Sequence, residues 1–220
     1  MVLWIVGTVL ALSAPKKAVE VPLDVGVGPA AHLISGPVQD NQLLHSGLAI
    51  SIEAVLDKKT IRKFKKRIPQ QYRSAALSMD EIRISHPLIP DTIWVSPAGV
   101  VSDTGIYGLG LRPLGLNVPL LRDGVRFDVG AGLRLTYLYV HSSSLPSPTH
   151  FLRPGIDAKA EMEIPFSERV LVSFGWDSQF YPPQALGGSI LELGTLDESI
   201  WHVGQAFLKF HYRIPLYIKP

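Results

Sequence analysis

The feature that most constrains this chain is a strict alternation of apolar and polar residues that recurs along most of its length. The longest example covers 125–139, where every odd position is apolar and the even positions carry Arg, Asp, Gly or Thr, except at Leu138. Successive side chains of a β-strand point to opposite faces, so this segment predicts a long strand with one wholly apolar face. An α-helix would spread the same residues around its circumference.

Six further segments carry the same alternation and predict six more strands. They cover 19–27, 44–56, 107–112, 156–164, 170–177 and 205–214. Strands of soluble proteins average about five or six residues, whereas a tilted strand that crosses a bilayer needs about 9 to 11. Because most of these segments reach the second length, the pattern favours an antiparallel β-barrel whose strands cross a membrane.

Composition agrees with strands, rather than helices, as the membrane-crossing elements. Apolar residues make up 46% of the chain and charged residues 18%, against roughly 25% charged residues in an ordinary soluble domain. Beyond the N-terminus no run of about 18 apolar residues occurs, which excludes a bundle of transmembrane helices. The absence of cysteine excludes a disulfide framework, a thiolate metal site and a cysteine nucleophile.

The polar faces of the predicted strands mix charges of both signs with glycine, as the inside of a narrow barrel requires. Glycine leaves room for other side chains, and opposite charges neutralise one another away from water. Aromatic residues that suit the two edges of a bilayer stand near strand ends on the apolar faces, at Tyr137, Tyr139, Phe166, Trp176 and Tyr212. We therefore expect the apolar faces to meet lipid and one set of residues to form a lumen charge network: Arg126, Asp128, Arg134, Asp157, Lys159, Glu161, Glu163, Lys209 and Arg213.

The lengths of the links between strands predict an eighth strand. Long polar links cover 35–42, 141–150 and 182–198, whereas 122–124 and 167–168 are tight turns. Bacterial outer-membrane barrels place short turns at one end and long loops at the other. All three long links reach the same end only if one strand is added, either between Asp57 and Thr104 or by splitting 105–121 at Pro113. A barrel of eight strands has an interior that side chains fill.

The segment 58–98 departs from the alternation and predicts a partly helical insert. It opens with seven basic residues that could contact phosphate or lipid headgroups, either of lipopolysaccharide or of an anionic lipid: Lys58, Lys59, Arg62, Lys63, Lys65, Lys66 and Arg67. A charged, solvated rim is the alternative. An amphipathic helix is predicted over 70–84, followed by extended chain over 86–90.

The N-terminus predicts a signal peptide over 1–14, which leaves 15–220 as a single barrel domain. An apolar stretch over 2–12 has the length of a signal-peptide core, is too short to span a bilayer, and changes abruptly to small and polar residues at Ser13. A buried first strand or helix of a soluble domain is the alternative interpretation of the same stretch.

The sequence carries no recognised catalytic, nucleotide or metal-binding motif. Its seven histidines show no metal-ligand spacing, so we expect no catalytic residue, no cofactor and no metal. A single basic cluster without interleaved aromatic residues does not predict nucleic-acid binding. His141, Ser142 and Ser144, in a predicted loop at the barrel rim, are of the residue types that a lipid-modifying enzyme would use there, although these types are common in loops.

The pattern over 19–214, apart from the insert, resembles the small bacterial outer-membrane β-barrel proteins in architecture. This resemblance implies an all-β, antiparallel, up-and-down transmembrane barrel in the outer membrane of a Gram-negative bacterium. It also implies the lipid bilayer as a partner and a structural or interaction role without an enzymatic activity. Two alternatives remain: a soluble periplasmic barrel that binds an apolar ligand inside, and a barrel-embedded lipid hydrolase or acyltransferase. The pattern does not identify a protein partner.

Overall fold

The computed structural model describes residues 19–35, 45–98, 104–121, 124–143, 147–182 and 201–218. The predicted signal peptide over 1–14 lies outside the described residues. The described part contains two helices, α1 (Lys58–Lys63) and α2 (Gln70–Ser78). Its nine strands are β1 (Val19–Ser35), β2 (His45–Asp57), β3 (Glu81–Ser85), β4 (Pro90–Ser96), β5 (Thr104–Leu121), β6 (Arg126–Ser142), β7 (Thr149–Pro165), β8 (Val170–Tyr181) and β9 (Trp201–Ile218). Neither described helix is long and apolar enough to cross a membrane.

The strands form one closed antiparallel sheet. Each strand from β5 to β9 pairs with the next along the chain. β1 pairs with β2 on one side and with β9 on the other, from Val19 opposite Ile218 to Ser35 opposite His202, which closes the cylinder. β3 and β4 both lie between β2 and β5 and run in the same direction, so they share one place in the wall. The predicted eight-stranded, up-and-down barrel is confirmed.

The eighth place lies between Asp57 and Thr104, which was the first of the two predicted positions. The second, a split of 105–121 at Pro113, is wrong, because β5 continues through that residue. The register of β5 against β6 shifts between Leu111 and Leu114, which marks a β-bulge. Pro113 and Leu114 are therefore both exposed, and the alternation changes phase there. A bulge accommodates a proline that cannot donate to the ladder.

The insert contains less helix than predicted. The helix predicted over 70–84 ends at Ser78, and after Met79 and Asp80 the chain forms β3. Ile82, which completed the predicted apolar side of that helix, instead lies opposite Leu56 of β2 and is buried. Pairing along β2 overrides the helical spacing. The chain over 86–90 was predicted to be extended, but it turns at 87–88 before β4 begins.

The two ends of the barrel differ in what they carry. The turn end holds the first and last described residues, both helices and the short β7–β8 turn. The loop end is where β1, β4, β6 and β8 finish and where β2, β5, β7 and β9 begin. The long links predicted from the sequence therefore all connect strands at the loop end. Parts of these links, including 36–44, 144–146 and 183–200, lie outside the described residues.

A candidate functional site in the lumen

The barrel is apolar outside and charged inside. Outward side chains such as Leu133, Ile156 and Phe210 are 51%, 57% and 59% exposed. Inward side chains on the alternate positions, such as Arg134 and Glu163, are 3% and 0% exposed. A soluble barrel buries the opposite set. The chain has thus placed its charges in the lumen and its apolar residues on the outer wall.

One lumen cluster, the aspartate–arginine cluster, is centred on Asp157 of β7. Its carboxylate accepts from the Nε and Nη2 atoms of Arg112 at 3.0 and 2.9 Å, and from the Nε atom of Arg134 at 3.1 Å. Arg134 also donates to Asp177 at 2.8 Å and to Asp91 at 2.5 Å. Two-pronged contacts of this kind are the strongest ion pairs available to arginine. The cluster therefore ties β5, β6, β7 and β8 to the chain at the start of β4.

A second cluster, the lysine cluster, is centred on Glu161. Lys209 reaches the Oε1 atom of Glu161 at 2.8 Å, and Lys159 contacts the same carboxylate. Lys159 also lies 3.7 Å from Glu53, which accepts from the amide of Asn117 at 2.6 Å. The Phe207 ring lies beside both ammonium groups, 4.6 Å from Lys209 and 5.5 Å from Lys159. Opposite charge and an aromatic face thus replace the water that the lysines have left.

A third cluster, the turn-end cluster, is centred on Arg83 of β3. Its two terminal nitrogens contact the two oxygens of Glu163, with Nη2 at 2.8 Å from Oε2, and Nη1 lies 3.3 Å from Asp128. Arg126 bridges Glu81, at 2.5 Å, and Glu163, at 3.7 Å. Glu163 is fully buried, and the guanidinium groups supply its counter-charge.

The barrel closure carries a smaller group of the same kind. Asp24 of β1 accepts from the ring of His211 at 2.8 Å and from Arg213 at 3.2 Å. The other ring nitrogen of His211 lies 2.7 Å from the Ser173 hydroxyl. These contacts join β1, β9 and β8 across the seam where the chain meets its own beginning.

All nine residues of the predicted network project into the lumen, and each pairs with at least one opposite charge. Several of their partners were not predicted from the sequence. Four of these stand on the polar face of alternating segments and could have been found from that pattern: Asp24, Glu53, Arg112 and Asp177. Arg83 and Asp91 lie in the segment interpreted as an insert. Because β3 and β4 are short, the sequence there does not show which side chains face the lumen.

Near the loop end, a packed group of apolar side chains fills much of the lumen, beside the buried polar residues His32, His45 and Arg153. Its fully or almost fully buried residues are Ile34, Trp94, Ile106, Leu138, Val140, Phe151, Tyr181, Trp201 and Val203. Phe151 stacks on Trp201 at 4.7 Å and meets Tyr181 edge-on at 5.5 Å. The Tyr181 hydroxyl contacts Thr136 and donates to Gln179, both at 2.8 Å, where the apolar part meets the charged part. Leu138, the single exception in the longest alternating segment, belongs to this apolar plug.

The seven basic residues lie at the turn end, on α1 and the turn that follows it. Asp57 accepts from the backbone N–H of Thr60 at 2.7 Å and caps α1. Thr60 and Ile61 are buried against the barrel, so the helix directs its basic residues away from the wall. Lys58 pairs with Asp80 at 2.9 Å, and both side chains remain well exposed. We call these seven residues the basic surface.

Aromatic side chains on the outer wall gather near both ends. At the loop end, the Tyr137 hydroxyl lies 2.8 Å from a ring nitrogen of His150, and Tyr107 stacks on His141 at 5.9 Å. At the turn end, Phe166 is 71% exposed and Tyr212 is 50% exposed. Trp176 belongs to neither group, since it lies in the middle of β8.

The residues considered for lipid chemistry are only partly described. His141 lies on the outer wall between Tyr107 and Tyr139. Ser144 and the side chain of Ser142 lie outside the described residues. Among the described residues, no group of three or more His, Asp or Glu side chains is arranged to hold a metal ion.

Solved structures with a similar arrangement are small bacterial outer-membrane β-barrels. Neisserial surface protein A has a TM-score of 0.48 and 12% identity, over 86% of this chain and 96% of that one. The attachment invasion locus protein of Yersinia pestis has a TM-score of 0.46 and 11% identity, over 89% and 100%. The N-terminal β-barrel domain of OprF from Pseudomonas aeruginosa has a TM-score of 0.36 and 13% identity, over 86% and 97%. Neither protein-family models nor curated proteins give a match to the chain.

Proposed function

We propose that this protein is a non-enzymatic β-barrel of the bacterial outer membrane with a structural or interaction role. The single observation that carries this proposal is the inside-out distribution of its side chains. Large apolar residues cover the outer wall, while almost every buried charge faces the lumen and has a partner there. An apolar outer wall of this kind is stable when it is surrounded by hydrocarbon. A closed barrel also exposes no unpaired sheet edge to that hydrocarbon.

The height of the apolar wall supports the same proposal. On β6, the outward residues run from Phe127 near the turn end to Tyr139 near the loop end. Twelve residues at roughly 3.3 Å each, tilted by about 40°, rise roughly 30 Å along the barrel axis. That distance is close to the thickness of a bilayer hydrocarbon core, about 30 Å.

The filled lumen supports a structural or interaction role rather than conduction. Charged clusters span the turn-end part of the lumen, and packed aromatic and aliphatic side chains fill the loop-end part. A soluble barrel that binds an apolar ligand would need an apolar interior, whereas the described lumen holds ion pairs along half of its height. The described residues therefore favour the membrane protein over that alternative.

The basic surface adds a proposed contact with phosphate-bearing headgroups. In the orientation typical of outer-membrane barrels, short turns and both termini face the periplasm. The basic surface shares that end, so the phospholipids of the periplasmic leaflet lie closer to it than lipopolysaccharide, which lies in the outer leaflet. Anionic phospholipid is therefore the partner that we propose for these residues. Export to this location would use the predicted signal peptide over 1–14.

Cell fractionation tests the proposed location. We expect the protein to sediment with outer membranes, to require detergent for extraction, and to migrate differently on a gel before and after heating. A control protein of the soluble periplasm should be released by osmotic shock. Release of this protein together with that control would refute the proposal.

A substitution on the outer wall tests the same proposal by physical means. Leu133→Arg places a charge where we expect hydrocarbon, and this should cost about 2 to 4 kcal/mol near the middle of the bilayer. The folding equilibrium constant in lipid vesicles, measured by urea titration of the heat-modifiable band, should fall by more than tenfold. Arg at this 51% exposed position would be tolerated if the wall faced water. Unchanged folding would therefore count against a lipid-facing wall.

A further inference from the structure

The barrel wall is interrupted where β3 ends and β4 begins. On β2, four residue steps separate Ala49 from Glu53, whereas seven steps separate their partners Thr92 and Ser85. Three extra residues therefore leave the ladder and form the turn. Across the described wall, 50–52 of β2 have no ladder partner on this side, although they pair normally with β1 on the other.

The opposite edge of the interruption is open at the same height. β5 pairs with β3 at Leu116 and Asn117, and with β4 between Ile106 and Leu111. The intervening residues 112–115, which contain the bulge at Pro113, have no ladder partner toward β3 or β4 in the described chain. Both neighbours of the broken strand thus lack pairing at one level of the wall.

Local hydrogen bonds hold the interruption open. The His86 backbone N–H donates to the carbonyl of Ile52 at 2.8 Å, and the Leu88 backbone N–H donates to Nδ1 of His86 at 3.2 Å. Leu88, at the tip of the turn, is 79% exposed. The backbone N–H groups of His86 and Leu88 therefore both have acceptors within or beside the turn, and the turn points away from the lumen.

A cavity of about 40 Å³ lies behind this interruption. The polar part of its lining includes Ser85, Asp91, Arg112, Lys159, Asp177 and Lys209, and the apolar part includes Ile50, Ile52 and Phe207. A buried water needs roughly 10 to 15 Å³ by this measure, so the cavity has room for about three waters. The Oδ1 atom of Asp177 is buried and has no hydrogen-bond partner among the described residues. A carboxylate oxygen in that state calls for a donor, and water is the donor that fits the space.

We propose that the interruption is a hydrated side site, in which water occupies the cavity and binds beside the aspartate–arginine cluster. Irregular backbone at membrane depth is tolerated where it lines a water-filled cavity or is buried in protein. The cavity and the unpartnered Asp177 oxygen favour water. The proposal rests on the proposed function, since it assumes that the surrounding wall lies in lipid.

Because the natural chain has no cysteine, single cysteines can report the water at chosen positions. The protein would be reconstituted in lipid nanodiscs and treated with 2-aminoethyl methanethiosulfonate, a charged, water-soluble thiol reagent. Ser85→Cys and Ser51→Cys line the side site. Ser173→Cys is a control in the lumen away from the opening, and Leu133→Cys is a control on the outer wall. We expect both side-site cysteines to react at least tenfold faster than either control.

The failure of each proposal gives a different result. If Leu133→Cys reacts as fast as Ser78→Cys on α2, the outer wall meets water and the proposed membrane location is wrong. If Leu133→Cys is protected and the two side-site cysteines are equally slow, only the side site is refuted. Deletion of 87–89 restores equal spacing on β2 and its neighbour, and it should slow the reaction of Ser51→Cys to the rate of Ser173→Cys. Undiminished reaction in a folded deletion variant would also refute the side site.

Discussion

The two halves of the lumen fill the same cylinder with opposite chemistry. Near the turn end, each buried charge depends on partners from other strands, as Asp157 depends on Arg112 and Arg134. Near the loop end, Phe151 and Leu138 depend only on being surrounded by apolar atoms of the right volume. The charged half therefore specifies which strands lie together, because an ion pair fails without its partner. The apolar half supplies packing that tolerates substitutions of similar size.

The largest effect should come from breaking the charged half at its centre. Asp157→Asn preserves the shape of the side chain but removes the charge that two guanidinium groups share. Leaving buried charges without a partner costs about 3 to 5 kcal/mol. Urea unfolding in lipid vesicles, followed by the heat-modifiable gel shift, would measure the loss.

A matched substitution on the surface separates the effect of losing a charge from the effect of that charge being buried. Asp80→Asn breaks the exposed pair with Lys58 and should change stability by less than about 1 kcal/mol. Equal effects of the two substitutions would show that the Asp157 cluster does not hold the barrel together.

The apolar half should lose stability through volume rather than charge. Leu138→Ala opens a cavity in the apolar plug and should cost about 2 to 5 kcal/mol in the same unfolding measurement. Leu138→Met conserves the volume and should cost less than about 1.5 kcal/mol. If both variants behave alike, the plug is not closely packed and the contrast between the halves is weaker than we describe.

Room for the central cluster depends on a glycine. A Cβ atom at Gly132 would lie 2.6 Å from Nε of Arg112 and 2.8 Å from the Leu114 carbonyl oxygen. Gly132→Ala should therefore disturb the cluster and cost about 1 to 3 kcal/mol, measured by the same unfolding assay. The neighbouring Ala131 points outward, so Ala131→Val should leave stability almost unchanged. If Gly132→Ala left stability unchanged, the aspartate–arginine cluster would have room for an additional methyl group.

The basic surface should affect lipid selection without affecting stability. Replacing Arg62, Lys63 and Lys66 by Gln removes three charges that lie outside both halves of the lumen. Each charge near an anionic membrane contributes about 1 kcal/mol, so the retention of anionic phospholipid should fall about fivefold per charge removed. Native mass spectrometry of protein released from mixed-lipid nanodiscs would measure retention. Unchanged retention would refute the proposed headgroup contact.

The alternation of residues predicts most of this fold because it records only which side of the wall each residue faces. It predicted the positions of the long strands and their apolar outer faces, and it showed Leu138 as the single apolar residue on the polar face of the longest segment. It missed β3 and β4, since the turn over 86–89 divides that wall position into pieces too short to show a period of two. Helical spacing from Tyr72 to Ile82 then extended the predicted helix across the end of α2.

The partners within the lumen could not be predicted because they depend on the shape of the closed barrel. Asp157 and Arg112 are 45 positions apart and lie on strands separated by β6. Their meeting depends on the stagger between strands, which alternation does not encode. Bulges such as the one at Pro113 change that stagger further. A sequence can therefore show that charges lie inside without showing which of them meet.

Pairing of β1 with β9 has a consequence for biogenesis. The first described strand finds its second neighbour only in the last, nearly 200 residues later, from Val19 opposite Ile218 onward. A sheet that lacks β9 has two free edges, and hydrocarbon cannot hydrate them. The cylinder can therefore close only after β9 has been made. A chain truncated before β9 should stay bound to chaperones or be degraded, and it should not become a smaller stable barrel.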